Sequence, residues 1–171
     1  MQNTEIRSLQ PEDADEVLRF MPEVGGETDN LTFGREGLPY TISEEQDYLR
    51  SVAEDPHSVM LGAFCGGELV GTASLTGLSG RMSHRAELGI CVLKAYWNQG
   101  IGSALLSSLN SFAAGNGIEL ISLEVRSDNA AAIHLYEKYG FVKTGYFPAF
   151  FKIGDTYHDF DLMVLDLRNR Q

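Results

Sequence analysis

The sequence is poor in cysteine, in histidine and in long apolar runs. Its two cysteines, Cys65 and Cys91, are too few for a disulfide framework and lie in strand-like runs, so we expect buried free thiols in a reducing cytoplasm. No cluster of cysteine and histidine has the spacing of metal ligands, so no metal is expected. No apolar run approaches a membrane span and residues 1–5 do not resemble a secretory signal, so no membrane partner is expected.

Positive charge is also scarce: the sequence has 13 basic and 24 acidic residues, and its formal net charge is −11. Residues 1–56 carry 14 acidic and 4 basic side chains, so the first third of the chain holds nearly all of the excess. This distribution argues against nucleic acid as a partner. Two interpretations of the acidic segment stay open: it attracts a cationic small-molecule substrate, or it is an acidic, well-solvated surface.

Length and hydrophobic pattern predict one domain over residues 1–171 with elements in the order β, α, α, β, β, β, α, β, α, β, β. This order indicates an α/β or α+β fold, a mixed sheet with helices on its faces. Residues 22–42 are rich in glycine and are predicted to form a long lid or binding loop, after which Ser43–Gln46 forms a capping-box pattern. Strands are predicted at 4–9, 58–65, 68–75, 85–93, 118–125, 141–147 and 158–167, and helices at 11–21, 43–54, 101–115 and 129–140.

The stretch Val92–Ser108 combines the end of an apolar strand, a polar turn containing Gly100 and Gly102, and a helix with apolar residues at helical spacing. The N–H groups at a helix start are unpaired and lie at the positive end of the helix dipole, so glycines there let an anion approach the backbone. The stretch therefore predicts a phosphate cradle, with a plain tight turn as the alternative. It lacks the Lys-Ser or Lys-Thr of a Walker loop, and Leu105 stands where a dinucleotide fingerprint needs its third glycine.

Three local motifs accompany this stretch: the strand Glu87–Val92, the loop Trp97–Gly102, and the run from Asn129 through Tyr136 to Gly140-Phe141. With these motifs and this order of elements, nearly the whole chain resembles the GCN5-related N-acetyltransferase (GNAT) superfamily. The resemblance implies a mixed, mostly antiparallel central sheet with splayed middle strands and helices on both faces. It also implies acetyl-CoA as a co-substrate, without a metal.

One position departs from the family's loop pattern, Gln/Arg-x-x-Gly-x-Gly/Ala, because Trp97 stands at the Gln/Arg position. The backbone cradle is kept, and Gln99 is expected to replace part of the lost polarity. The resemblance further implies that the pantetheine arm lies between the strands ending at Val92 and Val125, with the pyrophosphate on the loop. The expected cofactor-binding residues are Ile90, Cys91, Val92, Trp97, Asn98, Gln99, Gly100, Ile101, Gly102, Ser103, Asn129 and Tyr136.

The resemblance implies direct transfer of the acetyl group to an amine, without a covalent enzyme intermediate. Tyr136 is the expected acid for the leaving thiolate, whereas its neighbour Tyr139 fits a packed core tyrosine. Glu87 is the candidate for removing the proton of the amine, while a role as ammonium anchor or as an exposed strand residue stays open. Cys91 is expected to be structural.

Three functions are compatible with these residues: a small-molecule amine N-acetyltransferase, a protein N-terminal or lysine acetyltransferase, and a non-catalytic acyl-CoA-binding module. Tyr136 favours an enzyme over a binding module. The long acidic loop over residues 22–42 favours a small cationic acceptor over a peptide. The sequence does not name the amine, and it leaves open whether the chain forms a homodimer.

Overall fold

The computed structural model describes residues 4–169, so residues 1–3, where no leader was expected, lie outside the described residues. Over this range, seven strands and four α-helices follow one another in the predicted order. The strands are β1 (Thr4–Ser8), β2 (Val59–Cys65), β3 (Glu68–Gly77), β4 (Arg85–Val92), β5 (Leu120–Arg126), β6 (Val142–Ile153) and β7 (Thr156–Asp166). The helices are α1 (Ala14–Glu27), α2 (Ile42–Glu54), α3 (Ile101–Gly115) and α4 (Ala130–Lys138), and none that is described could cross a membrane.

The strands form one sheet in the order β1-β2-β3-β4-β5-β7-β6, in which only β4 and β5 pair in parallel. β2 is buried along its whole length, as expected for a strand covered on both faces. On β3, Gly71 lies against Leu105 of α3, whereas the next residue, Thr72, lines a cavity together with Met21 of α1. Neighbouring strand residues face opposite sides, so helices cover both faces and the predicted fold is confirmed.

The middle strands β4 and β5 separate after a short parallel ladder. Arg85–Glu87 pairs with Leu120–Ser122, and beyond these three residues the two strands share no further pairs. The rest of β4, Leu88–Val92, therefore has a paired neighbour only on its β3 side. The splay expected from the family resemblance is present, and it leaves strand backbone accessible in the middle of the sheet.

The first helix is longer than the sequence pattern predicted, because α1 continues through Pro22 and Gly25 to its end. The loop that follows covers only residues 28–41. Gly25 is required there for a tertiary reason: a Cβ at this position would lie 2.2 Å from the Gly34 carbonyl oxygen, so only glycine lets the loop fold back onto the helix. Burial of the apolar face of α1 outweighs the poor helix propensity of proline and glycine.

Helix α2 begins one residue before the predicted capping box. Thr41 is the N-cap, and its hydroxyl accepts a hydrogen bond from the Glu44 N–H at 3.3 Å. The Glu44 carboxylate in turn accepts the Thr41 N–H at 2.8 Å. The two box patterns overlap in sequence, and the earlier one forms because a carboxylate is a stronger acceptor than the Gln46 amide.

The last hairpin is also longer than predicted, because a bulge interrupts β6 without ending it. Phe147 pairs with Phe160 and Phe151 pairs with His158, so residues 148–150 lie opposite a single residue of β7. Ala149 within the bulge has a φ of +52°. The bulge breaks the alternation of side chains along the strand. A prediction from sequence therefore ends the strand at residue 147.

Candidate active site

A cavity of about 720 Å³ opens where β4 and β5 separate. One side of its wall is formed by the end of β4, the turn before α3, and α4; the other side is formed by α1, residues 28–33 and the β6–β7 hairpin. The structure brings together every predicted cofactor-binding residue except Gln99: Ile90, Cys91, Val92, Trp97, Asn98, Gly100, Ile101, Gly102, Ser103, Asn129 and Tyr136.

The predicted phosphate cradle lies at the start of α3. Gly100 is the N-cap with φ +83°, a conformation that glycine adopts without steric cost, and its carbonyl accepts the Ala104 N–H at 2.9 Å. The N–H groups of Ile101, Gly102 and Ser103 have no acceptor within the described residues. Three unpaired donors at the positive end of a 15-residue helix fit a diphosphate such as that of coenzyme A.

Helix α4 packs directly against this cradle. The Tyr139 hydroxyl donates a hydrogen bond to the Ser103 carbonyl at 2.7 Å, and a Cβ at Gly102 would lie 3.2 Å from the Leu135 side chain. Tyr139 is half-buried and packs against the hydrophobic core, as predicted, and its hydroxyl in addition holds the first turn of α3 in place. The phenol therefore contributes to the position of the cradle.

The side chains of Trp97 and Gln99, in the turn before α3, both donate hydrogen bonds to backbone carbonyls just before them. Trp97, at the family's Gln/Arg position, lines the cavity, and its indole Nε1 donates to the Val92 carbonyl at 2.7 Å, which closes the turn. The Gln99 side chain donates to the Ala95 carbonyl at 2.9 Å and does not line the cavity. The expectation that Gln99 restores polarity at the phosphate site is therefore wrong, since its amide is used within the turn.

Asn129 caps helix α4 and also lines the cavity. Its side-chain oxygen accepts the Ala132 N–H at 3.2 Å, which makes it the N-cap of that helix. The same residue lies on the cavity wall. The cap fixes where α4 begins, and hence the position of Tyr136, which lies about two turns later and lines the cavity.

Tyr136 and Cys91 meet in the interior of the cavity. Tyr136 is 7% exposed and its ring packs 5.7 Å from that of Phe141, while burial and the neighbouring Cys91 raise the pKa of its phenol. The Cys91 thiol lies 3.2 Å from the Thr72 hydroxyl, and burial raises its pKa to about 11. Both groups are consequently protonated near neutral pH, and the phenol has no hydrogen-bond partner among the described side chains.

The carboxylate on the cavity wall is Glu124 and not Glu87. Glu87 is exposed, does not line the cavity, and lies at the last pair of the β4–β5 ladder, about 13 Å along the strand from Cys91. Glu124 lies two residues beyond Ser122, the ladder partner of Glu87, and therefore closer to the open end of the splay. Of the alternatives left open for Glu87, the structure matches the exposed strand residue. The parallel ladder, extended along β5, identifies Glu124 as the acidic residue nearer the cavity.

The acidic first third reaches the cavity through its backbone and neutral side chains. Thr28, Asn30, Leu31, Thr32 and Phe33 line the cavity, so the loop after α1 does cover the site. No acidic side chain of the described part of this segment lines it. The carboxylate of Glu27, at the end of α1, instead accepts the Lys94 N–H at 2.7 Å and ties α1 to the end of β4. The segment can act on a charged ligand only at a distance.

Comparison with known proteins agrees with this geometry. Residues 27–141 match the model of the acetyltransferase (GNAT) family. The chain is 38% identical over 99 residues to the N-alpha-acetyltransferase RimI of Mycobacterium tuberculosis, over 57% of this chain and 61% of that protein. It is 36% identical over 92 residues to the L-amino acid N-acetyltransferase AaaT of Escherichia coli, over 53% and 57%. These matches span less than two thirds of either relative.

A solved structure extends the similarity over nearly the whole chain. The GNAT-family acetyltransferase of Streptococcus pneumoniae superposes with a TM-score of 0.93 and 32% sequence identity, covering 96% of this chain and 99% of that one. The family match contains the cradle, Glu124 and Tyr136, and the structural match adds β1 and the β6–β7 hairpin. The chain therefore belongs to the acetyltransferase (GNAT) family, for which acetyl-CoA is the acetyl donor.

Proposed function

We propose that this chain is an acetyl-CoA-dependent N-acetyltransferase that moves an acetyl group directly to the primary amine of a small acceptor, and that residues 1–171 form one acyltransferase domain. The observation that carries the proposal is the presence, in one cavity, of unpaired N–H groups at the start of α3 and of the protonated phenol of Tyr136. Acetyl-CoA supplies the activated acetyl group. Gly100–Ser103 would hold its diphosphate, and the open β4 edge at Ile90 and Val92 would hold its pantetheine arm.

The acceptor amine arrives as an ammonium ion and must lose a proton before it can attack. Glu124 is the acidic side chain on the cavity wall, and as a carboxylate it can bind the ammonium group and accept its proton, directly or through water. We therefore propose that Glu124, and not the sequence candidate Glu87, removes the proton of the ammonium group.

Tyr136 is proposed to donate a hydrogen bond, and then a proton, to the thiolate that leaves. Its raised pKa keeps the phenol protonated but makes it a weaker acid than an ordinary tyrosine. Stabilisation of the developing negative charge is therefore expected to matter more than early proton transfer.

Cys91 supports direct transfer over a covalent enzyme intermediate. The nucleophilic form of a cysteine is its thiolate. With a pKa of about 11, only about one Cys91 in 10⁴ is ionised at pH 7. A protonated thiol beside the Thr72 hydroxyl is better suited to packing than to attack on a thioester.

Two classes of acceptor amine are candidates. The match to AaaT supports a free amino acid or another small amine, cationic at its ammonium group, and the loop over residues 28–33 forms part of the cavity wall. The match to RimI supports the α-amine of a protein as the second candidate. The acidic segment would attract either one, because both carry an ammonium group.

The function is tested by measuring thiol release from acetyl-CoA in the presence of amino acids, polyamines, aminoglycosides and basic peptides. We expect at least one class of small amine to stimulate release. With that amine, Glu124→Gln should lower kcat/KM by about 10²-fold or more at pH 7, whereas the matched Glu87→Gln should leave it unchanged. Absence of amine-dependent release with the whole panel would contradict the proposed activity, and equal effects of the two substitutions would contradict the role of Glu124.

A further inference from the structure

Three phenylalanine rings form one continuous surface at the β6–β7 side of the cavity. Phe150 stacks on Phe160 with ring centroids 4.5 Å apart, and Phe151 packs on the same ring at 4.4 Å. All three line the cavity, and Phe33 from the loop after α1 joins them. Phe160 pairs with Arg126 at the end of β5, so this aromatic wall begins two residues beyond Glu124.

Two of these rings are neighbours in sequence, which a regular strand would place on opposite faces. Phe150 and Phe151 both reach Phe160 because the β6 bulge places residues 148–150 opposite Asp159 alone. Ala149 at the centre of the bulge has φ +52°, a conformation that costs a non-glycine residue about 1 kcal/mol or more. Contacts elsewhere must hold it there.

Asp159 provides those contacts. One carboxylate oxygen accepts the Ala149 N–H at 2.8 Å, and the other accepts the Tyr146 hydroxyl at 2.5 Å. The Asp159 carbonyl accepts the Ser127 N–H at 3.0 Å, which ties the same residue to the end of β5 beside the cavity. The side chain thus bridges both sides of the bulge.

We propose that Asp159 is a positioning residue for acceptor specificity: by holding the bulge, it keeps Phe150 and Phe151 on Phe160 as a binding wall for an apolar or aromatic group next to the acceptor amine. The inference rests on the proposed N-acetyltransferase function. Apolar and aromatic rings bind such groups by burial and by edge or face contacts, and Glu124 lies close enough to the wall to bind the ammonium group of the same molecule.

The test compares L-phenylalanine with L-alanine, each as free acid and as amide, by acetyl-CoA thiol release. For the wild type, in the free acids, in the amides or in both, we expect the KM for the phenylalanine probe to be about 10- to 100-fold lower than that for the alanine probe. This difference is the expected gain from burying a benzyl group. Asp159→Ala should remove most of this preference without changing the KM for acetyl-CoA. Asp159→Asn keeps an acceptor for the Ala149 N–H and gains an amide N–H that can donate to the Tyr146 hydroxyl oxygen, so it should preserve the preference. The control Asp155→Ala, in the exposed hairpin turn, should preserve it as well.

Binding measured by calorimetry in the presence of coenzyme A separates this inference from the catalytic proposal. Preferential binding of the phenylalanine probe without thiol release would contradict the activity and support the aromatic wall. Transfer without a phenylalanine preference, or an unchanged preference in Asp159→Ala, would overturn the inference. If Asp159→Ala does not fold, Tyr146→Phe removes one of the two hydrogen bonds and should reduce the preference in part; full retention in that variant would also overturn it.

Discussion

Tyr136→Phe removes one hydroxyl from the interior of the cavity and leaves the ring in place. The ring contact with Phe141 at 5.7 Å should survive, and the hydroxyl has no hydrogen-bond partner among the described side chains. The substitution breaks no hydrogen bond to a described side chain, so the free energy of unfolding should change by less than about 1 kcal/mol. The variant therefore tests chemistry without a stability defect.

The expected rate loss follows from the bond that the phenol would make. A hydrogen bond to a charged group contributes about 1.5–3 kcal/mol, which corresponds to a decrease of roughly 10- to 150-fold in kcat. General acids give up to about 10⁴-fold, but burial raises the pKa of Tyr136 and makes it a weak acid, so the lower range is expected. The same raised pKa predicts that the phenol causes no loss of wild-type activity below about pH 10.

The assay is acetyl-CoA thiol release for kcat, with the thermal shift caused by acetyl-CoA as a separate measure of binding. Tyr157→Phe is the matched control, because Tyr157 is 61% exposed on the hairpin and away from the cavity wall. Tyr139→Phe is unsuitable as a control, since that hydroxyl bonds the Ser103 carbonyl. A kcat equal to that of the wild type would refute the proposed role of Tyr136 and assign it to packing.

Four further predictions follow from the same geometry. Gly102→Val fills the cradle and places a Cβ 3.2 Å from Leu135, so the thermal shift with acetyl-CoA should vanish; Gly115→Ala, which meets no atom within 4 Å, should keep it. Tyr139→Phe should raise the KM for acetyl-CoA several-fold through the loosened first turn of α3, and an unchanged KM would disprove that link. Hydrogen bonds from the Arg7 guanidinium lower the pKa of Asp13, so this pair stabilises the fold above the ordinary aspartate pKa, and the gain is lost as pH falls through the lowered value. Asp13→Asn should cost about 1–2 kcal/mol at pH 7 in urea unfolding, and the cost should shrink as the pH falls below the ordinary aspartate pKa. If the acidic segment steers the ammonium ion, kcat/KM should fall as ionic strength rises, and a salt-independent value would limit those charges to solvation.

The free N–H groups at the start of α3, where the sequence predicts a phosphate cradle, could be anticipated because they are a local feature of the chain. A strand end, Gly100, Gly102 and a helix start are enough to place free N–H groups at the positive end of a helix. The Asn129 cap and the position of Tyr136 on α4 are likewise set within a few residues of chain. The order of strands and helices followed from hydrophobic period and turn residues for the same reason.

The remaining features depend on contacts between segments that are distant in sequence. Pro22 and Gly25 favour a helix end in a local analysis, yet α1 continues because its apolar face is buried. Gly25 is needed because the Gly34 carbonyl of the following loop packs against it. In the β6 bulge, Ala149 donates its N–H to Asp159 on another strand, a contact that no local pattern predicts. Glu124 rather than Glu87 faces the cavity because the parallel ladder ends at Glu87 and the strands separate beyond it. The sequence by itself determined which backbone N–H groups are free at the start of α3, whereas the pairing of β4 with β5 decided which side chains line the cavity, since strand register is a property of two chain segments together.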